Sequence, residues 1–167
     1  KLISKNLIDP KQIDMVIVAT ATPDMQIAAT SAYVATKIGA TNAFGYDLQA
    51  ACSGFLYAMS MAVGKIESGR YKKILVIGAD KMSSLINYQD RSTCIIFGDG
   101  AGAVLFEPNK EKLGWQDEFF KSDGGDRDSL KVKAGGSLFP ASKTSVLNQD
   151  HYLSMDGRKV FKSAVSV

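Results

Sequence analysis

Cysteine, histidine and net charge are all scarce in this sequence. The 167 residues hold two cysteines, Cys52 and Cys94, and one histidine, His151. Two thiols exclude a disulfide framework. With no further thiol or histidine at ligand spacing they also exclude a structural zinc site. Twenty basic against 17 acidic residues leave a net charge of +3, and the bases are scattered, which argues for a solvated surface and against a nucleic-acid partner. The longest apolar-rich run, Gly54–Ile66, is too short for a membrane span and is interrupted by Gly64 and Lys65. No signal peptide, fixed-period repeat or low-complexity tract is visible. Two reduced thiols and no membrane segment make the cytoplasm the expected compartment. What is present, 46% apolar and 22% charged residues, is the composition of a globular protein long enough to bury one core.

Strands and helices alternate over the first two thirds. Ile13–Thr20 and Lys73–Ala79 are continuous apolar runs rich in β-branched residues, the pattern of strands buried on both faces. Ala43–Leu48 and Gly102–Glu107 read as two further strands. Helices are expected over Ala28–Ile38, with Gly39 as C-cap, and over Ser53–Glu67, ended by Ser68-Gly69. Such alternation predicts an α/β fold with a parallel-dominated sheet and helices on both faces. After Pro108 the character changes. Leu113–Lys121 reads as a strand, Asp123–Asp128 as a turn, Gly135–Asn148 as a long loop, and Tyr152–Met155 as a strand running into a helical pattern at the end. The division drawn is residues 1–108 as an α/β core and 109–167 as insertion, loops and the start of another helix. The chain opens without methionine and stops inside a helical pattern, so a fragment is expected.

The stretch Asp47–Met61 reads D-L-Q-A-A-C-S-G-F-L-Y-A-M-S-M. Cys52 falls between a strand and the first turn of the next helix. Unpaired N–H groups and the helix dipole favour an anion there, and the thiolate is the nucleophile. The carboxyl end of a strand is also where open α/β sheets bind ligands. Small neighbours, Ala50, Ala51, Ser53 and Gly54, would let a carbonyl reach the sulfur and an adjacent backbone N–H. The competing reading is a small buried hydrophobe, a common fate of free cysteine. The helix that follows is apolar on all sides, as a helix is when enclosed by a larger body, so missing chain or a tight partner is expected to cover it. Gly98–Ala103, G-D-G-A-G-A, has neither dinucleotide nor phosphate-loop spacing and reads as a tight turn, with Asp99 capping it. His151 is a candidate base for Cys52 or a strand-end residue. Cys94, in an apolar run, reads as packing.

Three separated motifs then acquire a common meaning. D-L-Q-A-A-C-S-G-F-L-Y-A, D-R-S-T-C-I-I-F-G-D-G-A-G-A-V-L and L-S-M-D-G-R-K-V-F-K, preceded by V-A-T-A-T-P-D, resemble the 3-oxoacyl-[acyl-carrier-protein] synthase III family of thiolase-like condensing enzymes, in order and over nearly the whole chain. The resemblance implies a thiolase-like three-layer α/β/α fold, here the first of two repeats without its opening strand. It implies that Cys52 takes an acyl primer from acyl-CoA, and that malonyl-acyl carrier protein, losing carbon dioxide, attacks the thioester. The two thioesters are substrates, and no metal or redox cofactor is called for. It further implies that Arg91 lies against the adenine of CoA, that Ile27 closes the acyl pocket across a homodimer paired through Ala43–Leu48, and that Met155, Gly157 and Phe161 border the substrate tunnel.

The same resemblance marks what has no match between Lys1 and Val167. The family's catalytic histidine and asparagine, and the glycine giving the second oxyanion N–H, belong to a second half-domain; His151 is not that histidine. The leading expectation is therefore an initiating synthase of which this chain holds only the nucleophile half, inactive in condensation by itself. Two alternatives stand beside it: a catalytically incomplete acyl-CoA-binding fragment, and a related synthase making quinolones or polyketides from a similar cysteine segment.

Overall fold

In the computed structural model, which describes residues 1–111 and 114–166, the first half of the chain is organised around β1 (Met15–Ala19). All five of its residues are buried because it has a strand on either side and a helix over each face. β2 (Phe44–Leu48) and β3 (Ile74–Lys81) run parallel to it, with Ile17 opposite Tyr46 and Val76. β4 (Asp99–Phe106) completes a sheet of order β2-β1-β3-β4. The alternation of side chains divides the core in two. Met15, Ile17 and Ala19 join Ile74 and Val76 on one face, against Ala58 and Ala62 of α3 (Gly54–Glu67). Val16 and Val18 join Leu75 on the other, against Ala35 of α2 (Thr30–Ile38). Each large aliphatic side chain so enclosed contributes about 1.5–3 kcal/mol.

The helix ends follow from local chemistry. Gly39 ends α2 in the left-handed conformation at φ 78°, where a side chain would be strained, and its N–H returns to the carbonyls of Ala35 and Thr36. At the other end Ala29 offers no capping side chain. Asp47 of β2 supplies it instead, accepting from the backbone N–H groups of Thr30 (2.7 Å) and Ser31 (2.8 Å). A short helix, α1 (Leu2–Lys5), precedes β1.

The chain divides into two compact units, Lys1–Asp80 with Gly100–Phe119 and Lys81–Asp99 with Phe120–Val167. The segment 81–99, placed with the α/β core by its position in the sequence, thus clusters with the C-terminal part. In this second unit β5 (Leu130–Val132) pairs antiparallel with β6 (Leu153–Met155), and Leu153 N–H donates to Leu85 O at 2.7 Å. α4 (Lys143–Leu147) and α5 (Gly157–Val165) are its helices.

Several expectations need correction. The stretch expected to be a loop, 135–148, contains α4. Ser142 and Ser145 form a reciprocal capping box, each hydroxyl accepting from the other's N–H, with serine standing where glutamate or glutamine is usual. Residues 114–121 form no strand, and Leu113, where that strand was to begin, lies outside the described residues. The glycine run is not a tight turn. Gly100 and Gly102 are extended residues of β4, and the space a side chain would take at either is open. Asp99 caps a different turn, accepting from the N–H and hydroxyl of Ser83 at 2.7 Å each. These hydrogen bonds hold its carboxyl below the usual carboxylate range. The expectation for α3 needs no such correction: within this chain, as its all-apolar surface and the chain's length imply, it is only partly covered, burying the stripe Gly54, Ala58 and Ala62 and leaving Leu56 and Met61 half exposed. Among the described residues no helix is long and apolar enough to cross a membrane.

Candidate active site

Two connections and one strand end meet at the carboxyl edge of the parallel strands within the first unit. Thr20–Thr22 follows β1, Gln49–Ser53 follows β2, and Asp80 stands near the end of β3. Thr20 N–H donates to Leu48 O at 3.0 Å, carrying the β1–β2 pairing one residue further. Beyond Leu48 the chain turns through Ala50 into the single 3-10 turn Ala51–Ser53, which runs directly into α3. Cys52 sits in that turn, and it is exposed. It is therefore not the buried hydrophobe of the competing reading. Neither Ala50 nor Ser53 makes a side-chain capping bond; the N–H groups of Ser53 and Gly54 donate to the carbonyls of Ala50 and Ala51, and α3 begins without a side-chain cap just after the cysteine.

Ala51, immediately before the cysteine, has φ 45°. A left-handed alanine costs ~1–2 kcal/mol, so its neighbours must hold it there. They do so from both sides. Upstream, Leu48 is tied to Thr20. Downstream, Gly54 packs under Ala19 and Leu48, and the Phe55 ring lies on Gly78 of β3, where an added Cβ would stand 3.0 Å from Phe55 Cδ2. The turn before the cysteine is fixed by close packing on the sheet edge.

Two carboxylates support this edge, Asp80 and Asp47, neither of them among the residues to which the sequence assigns a role. Asp80 Oδ1 accepts from Ala21 N–H (2.8 Å), Thr22 Oγ1 (3.0 Å) and Thr20 Oγ1 (3.3 Å). Asp47, in β2, caps α2 as described. Burial acts to raise the Asp47 carboxyl, but the backbone N–H groups of Ser31 and Thr30 outweigh it and hold it below the usual range. The signal was present: each is a lone acid near the carboxyl end of an otherwise apolar strand, where a charge survives only if its oxygens are satisfied.

Ile27 belongs to the same unit. It is fully exposed at φ 75°, and Ala28 N–H closes a three-residue turn onto Gln26 O at 2.9 Å. For a β-branched residue this is a rare conformation.

The other residues given roles lie in the second unit. Arg91 is exposed in a turn held by Asp90, whose carboxylate accepts from Ser92 Oγ (2.6 Å), Ser92 N–H (2.9 Å) and Thr93 Oγ1 (2.8 Å). These bonds hold Asp90 below the usual carboxylate range. Cys94, in the following turn, is half-buried. Met155 ends β6 and its Cε reaches the start of α5, where a Cβ on Gly157 would lie 3.5 Å from it. Phe161 stands on the exposed side of α5. His151 is half-buried against Tyr152, with ring centroids 4.1 Å apart. Two clefts open in this unit. One of about 370 Å³ is lined by Asp90, Lys131, Lys133, Asp150, Tyr152 and Met155 among others. One of about 630 Å³ lies beside α5 and includes Asp126, Arg127, Leu130, Val160 and Ser163, none of them assigned a role. Among the described residues no group of three histidines, cysteines or acids could hold a metal ion.

Residues 46–124 match the family described as 3-oxoacyl-[acyl-carrier-protein (ACP)] synthase III. The chain is 53% identical over 166 residues to beta-ketoacyl-[acyl-carrier-protein] synthase III 2 of Bacteroides thetaiotaomicron, covering 99% of this chain and 50% of that one. Its structure resembles a 2.1 Å crystal structure of a 3-oxoacyl-(acyl-carrier-protein) synthase III, with TM-score 0.91, 28% identity, and coverage of 99% of this chain and 52% of the other. It also resembles the priming β-ketosynthase of the R1128 polyketide biosynthetic pathway, with TM-score 0.80, 32% identity and coverage of 98% and 48%. The chain thus spans about half the length of the relatives it matches.

Proposed function

This chain belongs to the 3-oxoacyl-[acyl-carrier-protein] synthase III family and has its thiolase-like α/β fold, and from that premise we propose that it carries the acyl-accepting half of a decarboxylative condensation in fatty acid synthesis. The sulfur of Cys52 attacks the thioester carbonyl of acyl-CoA. The carbon–sulfur bond to CoA breaks, and CoA leaves as the thiol with the proton that Cys52 gives up. Malonyl-acyl carrier protein then loses carbon dioxide, its carbanion attacks the acyl-Cys52 carbonyl, and the cysteine sulfur departs. The product is a 3-oxoacyl carrier protein two carbons longer than the primer. Dividing the reaction into an acyl transfer and a carbon–carbon condensation is covalent catalysis and needs no redox change.

The observation that carries the reading is the exposed Cys52 thiol at the amino end of a 14-residue helix, on the carboxyl edge of the sheet, after a turn held in strain. Exposed Arg91, on a turn made rigid by Asp90, suits stacking on the adenine of CoA. Fully exposed Ile27 suits a pocket completed by a second copy, and Met155, Gly157 and Phe161 suit the border of an acyl tunnel. β2 is an edge strand of the sheet, as pairing into a homodimer through Phe44–Leu48 requires. Acyl-CoA, acyl carrier protein and a second copy are thus the proposed partners, in the cytoplasm.

Incubation with radiolabelled acetyl-CoA followed by peptide mapping tests this directly. Label is expected on the peptide containing Cys52 and is expected to vanish in Cys52→Ala. Label on another residue, or none, overturns the proposal. Adding malonyl-acyl carrier protein then separates elongation from acylation alone: label that stays on Cys52 with no elongated product identifies an acyl-accepting chain that does not condense.

A further inference from the structure

We propose that Asp80 is a positioning residue for Cys52, holding through two backbone connections the strained turn on which the nucleophile rides; this rests on the reading of Cys52 as the acyl acceptor. Asp80 contributes one oxygen to three donors on three successive residues: the hydroxyl of Thr20, the N–H of Ala21 and the hydroxyl of Thr22. Thr22 N–H adds a bond to Thr20 Oγ1 at 3.0 Å, closing that turn on itself. The turn so fixed directs Thr20 N–H at Leu48 O, the last residue of β2 and four before Cys52. The second connection runs through the strand that bears Asp80. Gly78 lies two residues earlier and forms the floor on which the Phe55 ring rests, three residues after Cys52. The end of β3 therefore grips the cysteine segment on both flanks: through the Thr20–Thr22 turn before it and through Phe55 after it.

A carboxylate suits this task. It accepts several bonds at one oxygen, and bonds to a charged acceptor are the stronger kind. Between those two flanks Ala51 is held at φ 45°. Releasing the upstream flank lets Ala51 relax and moves the sulfur relative to the amino end of α3. A displacement of about 1 Å can lower a reaction rate by up to about a hundredfold without weakening substrate binding.

Asp80→Ala and Asp80→Asn, made in the whole protein, test the assignment. Asparagine keeps an oxygen at the Oδ1 position and alanine does not. Single-turnover acylation by labelled acetyl-CoA is expected to slow at least about tenfold in Asp80→Ala, with the half-saturating acetyl-CoA concentration nearly unchanged, and to recover largely in Asp80→Asn. Iodoacetamide alkylation of Cys52 is expected to fall severalfold while that of Cys94, in the other unit, stays the same. Wild-type acylation in Asp80→Ala overturns the inference. So does a loss matched by an equal change at Cys94, which marks general loosening. If Asp80→Ala does not fold, Thr22→Val, which removes one donor and keeps the carboxylate, takes its place; unchanged acylation there also overturns it. If the wild-type protein takes no acetyl label, the acyl-acceptor reading has failed by itself. The alkylation comparison then still decides the positioning role.

Discussion

Replacing Asp47 with alanine removes the only carboxylate seen capping α2, and the cost can be worked from its two contacts. Its oxygens accept from the N–H groups of Thr30 and Ser31 at 2.7 and 2.8 Å, and the N-cap residue, Ala29, provides nothing in their place. Loss of a capping side chain costs about 0.5–2 kcal/mol, and the two short bonds place this one in the upper part of that range. Removing a negative charge from a helix amino end adds roughly 0.3–1 kcal/mol. The site is only partly buried, so water recovers some of the hydrogen bonding, and the sum is about 1.5–2.5 kcal/mol. For a chain of this length that lowers the midpoint of thermal unfolding by roughly 3–10 °C. Asp47→Asn, which keeps one oxygen, is expected to fall between. The pH dependence gives a sharper test. Asp47 has a folded pKa below its unfolded value of about 4. Its contribution is therefore complete above about pH 4 and is lost as pH falls through the lower, folded value. Urea unfolding of wild type and Asp47→Ala should show the full gap at pH 7 and a shrinking gap below pH 4. A gap of less than about 0.5 kcal/mol at pH 7, or one that does not change down to pH 3, refutes the capping argument.

The core and the sheet edge give further expectations. Ile17→Ala, at a fully buried position in the middle strand, should destabilise by about 2–5 kcal/mol in urea unfolding, with no change in the slope of the transition. Gly78→Ala places a methyl against the Phe55 ring and should cost about 1–3 kcal/mol; because that ring flanks Cys52, the alkylation rate of Cys52 should shift with it while that of Cys94 does not. Gly100→Ala meets open space in β4 and should leave the thermal midpoint within about 1 °C of wild type.

The strands and long helices were legible because burial on two faces leaves a plain signature. MVIVA and ILVIGA are apolar without interruption, and Gly39 marks the end of α2 as a left-handed residue must. The failures share a cause. Gly98–Gly102 looked like a turn because glycine is the usual turn residue, yet an extended strand also accepts glycine, and only its neighbours distinguish the two. α4 was hidden because its capping box uses Ser145 where glutamate or glutamine is the recognisable form. β5 is three residues long, and its pairing with β6 lies more than twenty residues away in sequence. At the site, the place of Cys52 between a strand and a helix could be read directly. The partners of its supports could not: a lone acid in an apolar strand signals that its oxygens must be satisfied, but Asp80 reaches Thr20–Thr22 across about sixty residues, and no local pattern names donors at that span.

These long-range bonds bear on why the cysteine turn can be strained at all. A left-handed alanine relaxes unless both its flanks are fixed, and a loop anchored only by its own residues has little to oppose that. Here the flanks are fixed by β1 and β3, whose residues are buried or held by one another through most of their length. The free energy that keeps Ala51 at φ 45° therefore comes from the sheet core rather than from the turn. It follows that a core substitution can act on the site without touching it. Ile17 lies two residues before Ala19, which packs under Gly54, so Ile17→Ala should slow Cys52 alkylation at temperatures well below its unfolding midpoint. A Cys52 rate identical to wild type under those conditions would show that the turn holds its own geometry and that the sheet does not impose it.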